Sequence, residues 1–153
     1  MYYTGQEITQ IAVRIEENGY AFYKAAAEKI KGPNDIRNLF LDLAEKEVVH
    51  ISVFQKMAEK FEPEDLEMPP DESSDYVAHL AETHIFGKPE SGVKLARTVS
   101  TPQQALEIAY KFEIDSVNFY IELGKRAKTD SQKLIHQIIE EEKDHAADIK
   151  RFM

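Results

Sequence analysis

Apolar residues recur every three or four positions along four long segments of the chain. This spacing places side chains on one face of an α-helix. The first segment carries the stripe Ile8, Ile11, Ile15, Phe22, Ala26 and Ile30. No stretch alternates with period two over enough residues to indicate a sheet. The pattern predicts four helices, at about residues 5–31, 35–61, 102–127 and 130–152.

Capping signals bound the predicted helices. Thr4 and Glu7 form a candidate capping box for the first helix, and Gly32-Pro33 is a stop signal after it. The segment Thr101–Gln104 combines an N-cap threonine, a proline at the first helical position and a glutamine at the third. The caps expected for the second and fourth helices are Asn34 or Asp35, and Thr129 or Asp130.

Residues 62–101 interrupt this helical pattern with prolines, glycines and acidic residues. One short helix is expected there, around Asp75–Ile85. The segment is long enough to run back along a helix of about 39 Å. Short turns join the first helix to the second and the third to the fourth, which favours antiparallel hairpins. The sequence therefore predicts a single all-α domain over residues 1–153, a four-helix bundle with a long crossover.

Two polar residues interrupt the apolar stripe of the second helix at its centre, Glu47 and His50. Burying a carboxylate beside an imidazole costs several kcal/mol unless something compensates them. A bound metal is the commonest compensation for Glu-x-x-His at helical spacing. The fourth helix repeats the motif with Glu142 and His145, again within an apolar stripe.

The two halves of the chain also share a second motif. Glu16 precedes a Phe-Tyr pair ending at Tyr23, and Glu113 precedes one ending at Tyr120 by the same offset. In each half the Glu-x-x-His motif follows this glutamate by about 30 residues. Glu16 and Glu17 are adjacent, and only one of them can face the core. The repeat favours Glu16 as the buried residue, and Glu17 is expected to be solvated.

Two hairpins related by a pseudo-twofold axis would bring the repeated polar residues together at the bundle centre. Four carboxylates at close range repel one another unless cations balance them. Oxygen-rich ligands with one imidazole for each ion favour iron or manganese over a structural zinc. We therefore predict two metal ions per chain, iron first and manganese as the alternative. The predicted ligands are Glu16, Glu47, His50, Glu113, Glu142 and His145.

Composition narrows the class of function. The net charge of −9, without a basic patch, argues against a nucleic-acid partner. The chain has no cysteine, which excludes disulfides, iron–sulfur clusters and rubredoxin-type iron sites. No apolar run approaches the roughly 20 residues that cross a bilayer, and the N-terminus has no signal-peptide core. A cytoplasmic location without a membrane partner is expected.

This constellation resembles the ferritin-like di-iron carboxylate proteins, and most nearly their rubrerythrin-like branch. The resemblance covers essentially the whole chain outside the crossover. It implies that Glu16 and Glu113 are terminal or flexible ligands, and that the glutamates of the two Glu-x-x-His motifs bridge the metals. It further implies that Tyr23 and Tyr120 donate hydrogen bonds to carboxylates. The alternative for each tyrosine is burial for its ring, with its hydroxyl near the surface.

The chain departs from rubrerythrins in two respects. Without cysteine it lacks the rubredoxin-like iron site that supplies electrons, so an external electron-donor protein is expected. Ser116 stands where rubrerythrins commonly carry an extra carboxylate, which leaves their metal-swinging peroxidase chemistry unsupported here. Among the other polar residues, Glu140 and Glu141 are expected on the wet face. His79 and His84 are expected at the surface or satisfied by neighbours.

The resemblance implies reduction of hydrogen peroxide, activation of O2, or oxidation and storage of iron. The leading functional hypothesis is an oxidoreductase that reduces hydrogen peroxide or O2. One alternative is a protein that binds or stores iron without turnover. Another is a metal-free structural bundle that acts as an interaction module. By analogy with the family, a homodimer or higher homo-oligomer is expected.

Overall fold

The chain folds as a bundle of α-helices in a computed structural model that describes residues 3–32 and 34–153. Within these ranges there are six α-helices and no strand. The two short helices and a 3-10 turn, Pro63–Asp65, lie in the crossover. The helices are α1 (Gly5–Lys29), α2 (Asn34–Glu59), α3 (Glu72–Thr83), α4 (Ser91–Thr98), α5 (Pro102–Arg126) and α6 (Thr129–Lys150).

The four long helices form two hairpins that pack face to face. Helix α1 packs along α2 and α5 along α6, while α2 also contacts α6 and α1 contacts α5. The apolar stripes are buried between them, including Ile15, Phe40 and Leu43 at 0% exposure. The predicted all-α bundle with a long crossover is confirmed. Within the described residues, no helix is long and apolar enough to span a membrane.

The starts of α1 and α5 follow the sequence signals, whereas Asn34 and Asp35, predicted as the cap of the second helix, lie within α2. Thr4 Oγ1 accepts a hydrogen bond from the Glu7 amide at 3.1 Å, and Thr101 with Gln104 completes a capping box. The cap predicted for α6 at Thr129 or Asp130 is wrong, because Lys128 holds that position. Lys128 is fixed from outside the helix, since its Nζ lies 2.5 Å from Asp65 Oδ1. The predicted stop at Pro33 lies outside the described residues.

The crossover contains two helices where the sequence pattern predicted one. The additional helix, α4, has only eight residues and packs against α1, while α3 packs against α5. The segment between them is pinned to both hairpins. Asn18 Nδ2 donates to the Phe86 carbonyl at 2.8 Å, and Asp115 Oδ2 accepts from the Ile85 amide at 3.0 Å. The crossover therefore covers the side of the bundle formed by α1 and α5.

Candidate metal centre

All six predicted ligands lie in the core of the bundle. The four glutamates, one from each long helix, are 0% exposed, and the two histidines are 1% and 3% exposed. Glu17 is exposed, so Glu16 is the member of that adjacent pair that faces the core. Buried carboxylates at the middle of otherwise apolar stripes follow directly from the 3–4 residue spacing of each helix.

The six side chains form two groups of four that share two members. One group contains Glu16, Glu47, His50 and Glu142, and the other contains Glu47, Glu113, Glu142 and His145. In each group the candidate ligand atoms lie within 4.8 Å of one another. The shared residues are the glutamates of the two Glu-x-x-His motifs, so the arrangement has two adjoining positions with two carboxylates between them.

Each shared glutamate points one of its oxygens at His50 and the other at His145. Glu142 Oε1 lies 3.2 Å from His50 Nδ1, and its Oε2 lies 3.0 Å from His145 Nδ1. Glu47 Oε2 lies 3.6 Å from His50 Nδ1, and its Oε1 lies 3.5 Å from His145 Nδ1. The remaining two glutamates serve one position each, with Glu16 Oε2 at 3.5 Å from His50 Nδ1 and Glu113 Oε1 at 3.6 Å from His145 Nδ1.

Several carboxylate oxygens in the centre have no hydrogen-bond partner among the described residues. They are Glu16 Oε2, both oxygens of Glu47, and Glu113 Oε2. Buried polar atoms in native proteins are nearly always satisfied, so each of these oxygens requires an explanation. Divalent cations that prefer oxygen ligands with one imidazole fit this donor set, because they would engage the unpaired oxygens and offset the carboxylate charge.

Two buried tyrosines donate hydrogen bonds to Glu113 and Glu16, the two glutamates that are not shared between the positions. The Tyr23 hydroxyl donates to Glu113 Oε1 at 2.5 Å, and the Tyr120 hydroxyl donates to Glu16 Oε1. Each tyrosine therefore reaches across the bundle to the glutamate of the opposite half. Both tyrosines are 0% exposed, so their hydroxyls do not lie at the surface.

The crowding of carboxylates shifts their proton affinities. Burial raises the pKa of Glu47 and of Glu113 well above the usual value, and the neighbouring carboxylates Glu16 and Glu142 add to the effect. Burial also acts on Glu16, but its contacts with Glu47 and His50 outweigh this and bring its pKa down to about 2. The metal-free centre therefore retains protons that cations would displace.

The outer nitrogen of one histidine has a carboxylate partner. His50 Nε2 lies 2.7 Å from Glu141 Oε2, while its Nδ1 faces the centre. Burial favours a higher pKa for Glu141, but the bond to His50 overcomes this and lowers the pKa. Glu141 lies at the edge of the wet face, with its side chain 41% exposed, but its carboxylate is turned toward His50. Glu140 is exposed as expected.

A third buried histidine lies outside the centre. The Phe86 amide donates to His84 Nδ1 at 2.9 Å, so the ring proton resides on Nε2 and points to Ser116 Oγ, also at 2.9 Å. Burial lowers the pKa of His84 to about 4, which keeps the ring neutral. His84 is thus a satisfied histidine that ties the crossover to α5 at the Ser116 position. His79 is exposed.

Comparison with known proteins agrees with this geometry. The family model described as Rubrerythrin matches residues 7–95 and 104–153. A crystal structure from Thermotoga maritima, at 2.30 Å resolution and described as a ferritin-like diiron-carboxylate protein, superposes with a TM-score of 0.70. It shares 26% sequence identity, and the match covers 98% of this chain and 94% of that one. No curated protein matches significantly.

The matched segments of the family model include all six residues of the centre and both tyrosines. The resemblance stated from the Glu-x-x-His motifs and their repeat is confirmed at the level of the family. This chain, a helical bundle with a buried cluster of glutamates and histidines that could bind metal, belongs to the rubrerythrin family.

Proposed function

We propose that the chain is a non-haem di-iron oxidoreductase that reduces hydrogen peroxide or O2. The observation that carries the proposal is the pair of adjoining four-residue groups that share Glu47 and Glu142. In this proposal Glu16 and His50 complete one position, and Glu113 and His145 complete the other. Two bound iron ions would supply the two electrons of a peroxide reduction, one from each ion.

The surrounding residues would support such a reaction in specific ways. Tyr23 and Tyr120 hold the carboxylates of Glu113 and Glu16 in fixed orientations. A cavity of about 280 Å³ at the surface includes His145 in its lining, and it is where a molecule as small as peroxide would approach. Reducing H2O2 to two waters consumes two electrons and two protons, so an external donor must restore the electrons after each turnover.

Peroxide consumption by the iron-loaded chain with a chemical reductant tests this proposal. The double substitution Glu47→Ala and Glu142→Ala is expected to abolish turnover, because both positions lose their shared ligands. The matched control replaces the exposed Glu45 and Glu140, two residues earlier in the same helices, and should leave turnover unchanged. A fully active Glu47/Glu142 double variant would refute the proposal.

Iron binding without turnover is the second candidate, and the same ligand set favours it. A centre of six ligands can hold two ions whether or not electrons pass through them. Storage predicts many more than two irons per chain after aerobic loading, together with assembly into a cage. The enzyme predicts two irons per chain, a small oligomer and reductant-dependent peroxide loss.

A further inference from the structure

The two halves of the centre differ in charge at the position directly before each Glu-x-x-His motif. The internal repeat aligns the two Glu-x-x-His motifs, and the residue directly before each motif is Lys46 in α2 and Glu141 in α6. The ligand sets themselves correspond closely, since each half contributes one terminal glutamate, one shared glutamate, one histidine and one crossing tyrosine. The reversal from acid to base is therefore a local break in the symmetry of the site.

On one side, Glu141 anchors the imidazole of His50. Its Oε2 lies 2.7 Å from Nε2, and its Oε1 accepts from Gln137 Nε2 at 3.2 Å, which steadies the carboxylate. A carboxylate in this place fixes the ring orientation and the tautomer that leaves Nδ1 free to coordinate, and it raises the basicity of that nitrogen. Loss of such partners typically weakens metal affinity 10–100-fold.

On the other side, the matching residue cannot play this part. His145 Nδ1 faces the centre, and its Nε2 has no hydrogen-bond partner within residues 3–32 and 34–153. The ring borders the 280 Å³ cavity, whose charged lining consists of Lys46, Glu141 and Asp144. Lys46 pairs with Asp42 at 3.0 Å, and an ammonium group has donors but no acceptor. His145 therefore lacks the carboxylate anchor that His50 possesses.

We propose that the two metal positions are inequivalent, and that the one formed by Glu16 and His50 binds a divalent cation first. Its affinity is expected to exceed that of the Glu113 and His145 position by about 10–100-fold. Glu141 acts here as a positioning residue through His50. The inference rests on the proposed function only in requiring that the centre binds two cations.

Titration of the metal-free full-length chain with Co(II), followed by calorimetry and visible absorption, tests the inequivalence. Two separate binding steps are expected for the wild type. Glu16 and Glu113 each belong to one position, so they identify the steps. Glu113→Gln should retain the tight step and Glu16→Gln should retain only the weak one.

Two further variants test the cause of the difference. Glu141→Gln should weaken the first step 10–100-fold and merge it with the second, whereas Lys46→Glu should strengthen the second step by offering His145 a carboxylate. The control for the first is Glu140→Gln, because Glu140 is exposed and its side chain contacts Lys143. The control for the second is Lys133→Glu, the same charge change at an exposed site near the start of α6.

The outcomes separate this inference from the proposed function. The inequivalence alone would be overturned by two equal steps in the wild type or by loss of the tight step in Glu113→Gln. It would also be overturned if Glu141→Gln had no effect on the first step, or if Lys46→Glu had none on the second. Failure to bind either Co(II) or Fe(II) would overturn the metal centre as well. Should Glu141→Gln fold poorly by circular dichroism, Lys46→Glu and the two single-ligand variants still decide the question.

Discussion

Replacing Glu47 with methionine should stabilise the metal-free protein while abolishing its response to metal. Glu47 is 0% exposed, and neither of its oxygens has a hydrogen-bond partner in the described chain. Burial and the nearby Glu16 raise its pKa well above the usual range, so the ionised carboxylate is energetically unfavourable at this position. Methionine is unbranched, similar in length and a good helix former.

The size of the effect follows from the environment of the side chain. An unsatisfied buried polar group costs about 1–3 kcal/mol, and both oxygens of Glu47 are of this kind. The substitution also removes a neighbour of His145, which offsets part of this stabilisation. We therefore expect a net gain of about 2 kcal/mol in the free energy of unfolding. For a chain of this size that gain corresponds to a rise in Tm of roughly 4–8 °C.

Metal reverses the order of stability. At a free metal concentration of about 100 times Kd, each occupied position stabilises the wild type by roughly 2.7 kcal/mol. Glu47→Met removes a ligand shared by both positions, so its Tm should not respond to metal.

Thermal unfolding followed by circular dichroism, with chelator and then with Mn(II), measures both effects. Glu45→Met, exposed in the same helix, is the control and should behave as the wild type. The reasoning fails if Glu47→Met is less stable than the metal-free wild type and still gains stability with Mn(II).

Three further predictions concern hydrogen bonds and protonation. Tyr120→Phe removes the donor to buried Glu16 and should lower the stability of the metal-free protein by about 1.5–3 kcal/mol in urea unfolding, whereas Tyr110→Phe, half-buried and outside the centre, should change little. Burial lowers the pKa of His84 from 6.5 to about 4 on folding, so the stability that it contributes above pH 6.5 should be lost as the pH drops. The loss should reach about 3 kcal/mol at pH 4. His84→Gln should show a correspondingly shallower decline of the free energy of unfolding with falling pH. The pKa of His145 rises to about 12, so its contribution is complete below pH 6.5 and declines as the pH rises; metal-free protein should unfold at lower urea at pH 9 than at pH 6, and an equal midpoint would contradict this.

The positions of the candidate ligands were predictable because burial and helical period act together. A carboxylate at 3–4 residue spacing within an apolar stripe has to enter the core, and this placed Glu47 and Glu142 without any knowledge of the other helices. The repeat then separated Glu16 from Glu17, a choice that periodicity alone left open. That these residues coordinate metal remains a prediction.

The contacts of the surrounding residues could not be predicted from the sequence in the same way. Glu141 is adjacent to a core residue and off the stripe, so local pattern assigns it to solvent; its role depends on where the ring of His50 points from another helix. The tyrosines likewise bond to the glutamate of the opposite half, which depends on how the hairpins dock. Lys128 occupies the N-cap position of α6 and pairs with Asp65 of the crossover, a contact between residues far apart in the chain.

The most direct test of the dinuclear centre is the iron content per chain after anaerobic loading with Fe(II) and desalting. The account predicts two irons per chain in the wild type and loss of both in Glu47→Ala, because that carboxylate faces both positions. Iron close to zero in the wild type, or two irons retained by Glu47→Ala, would contradict it.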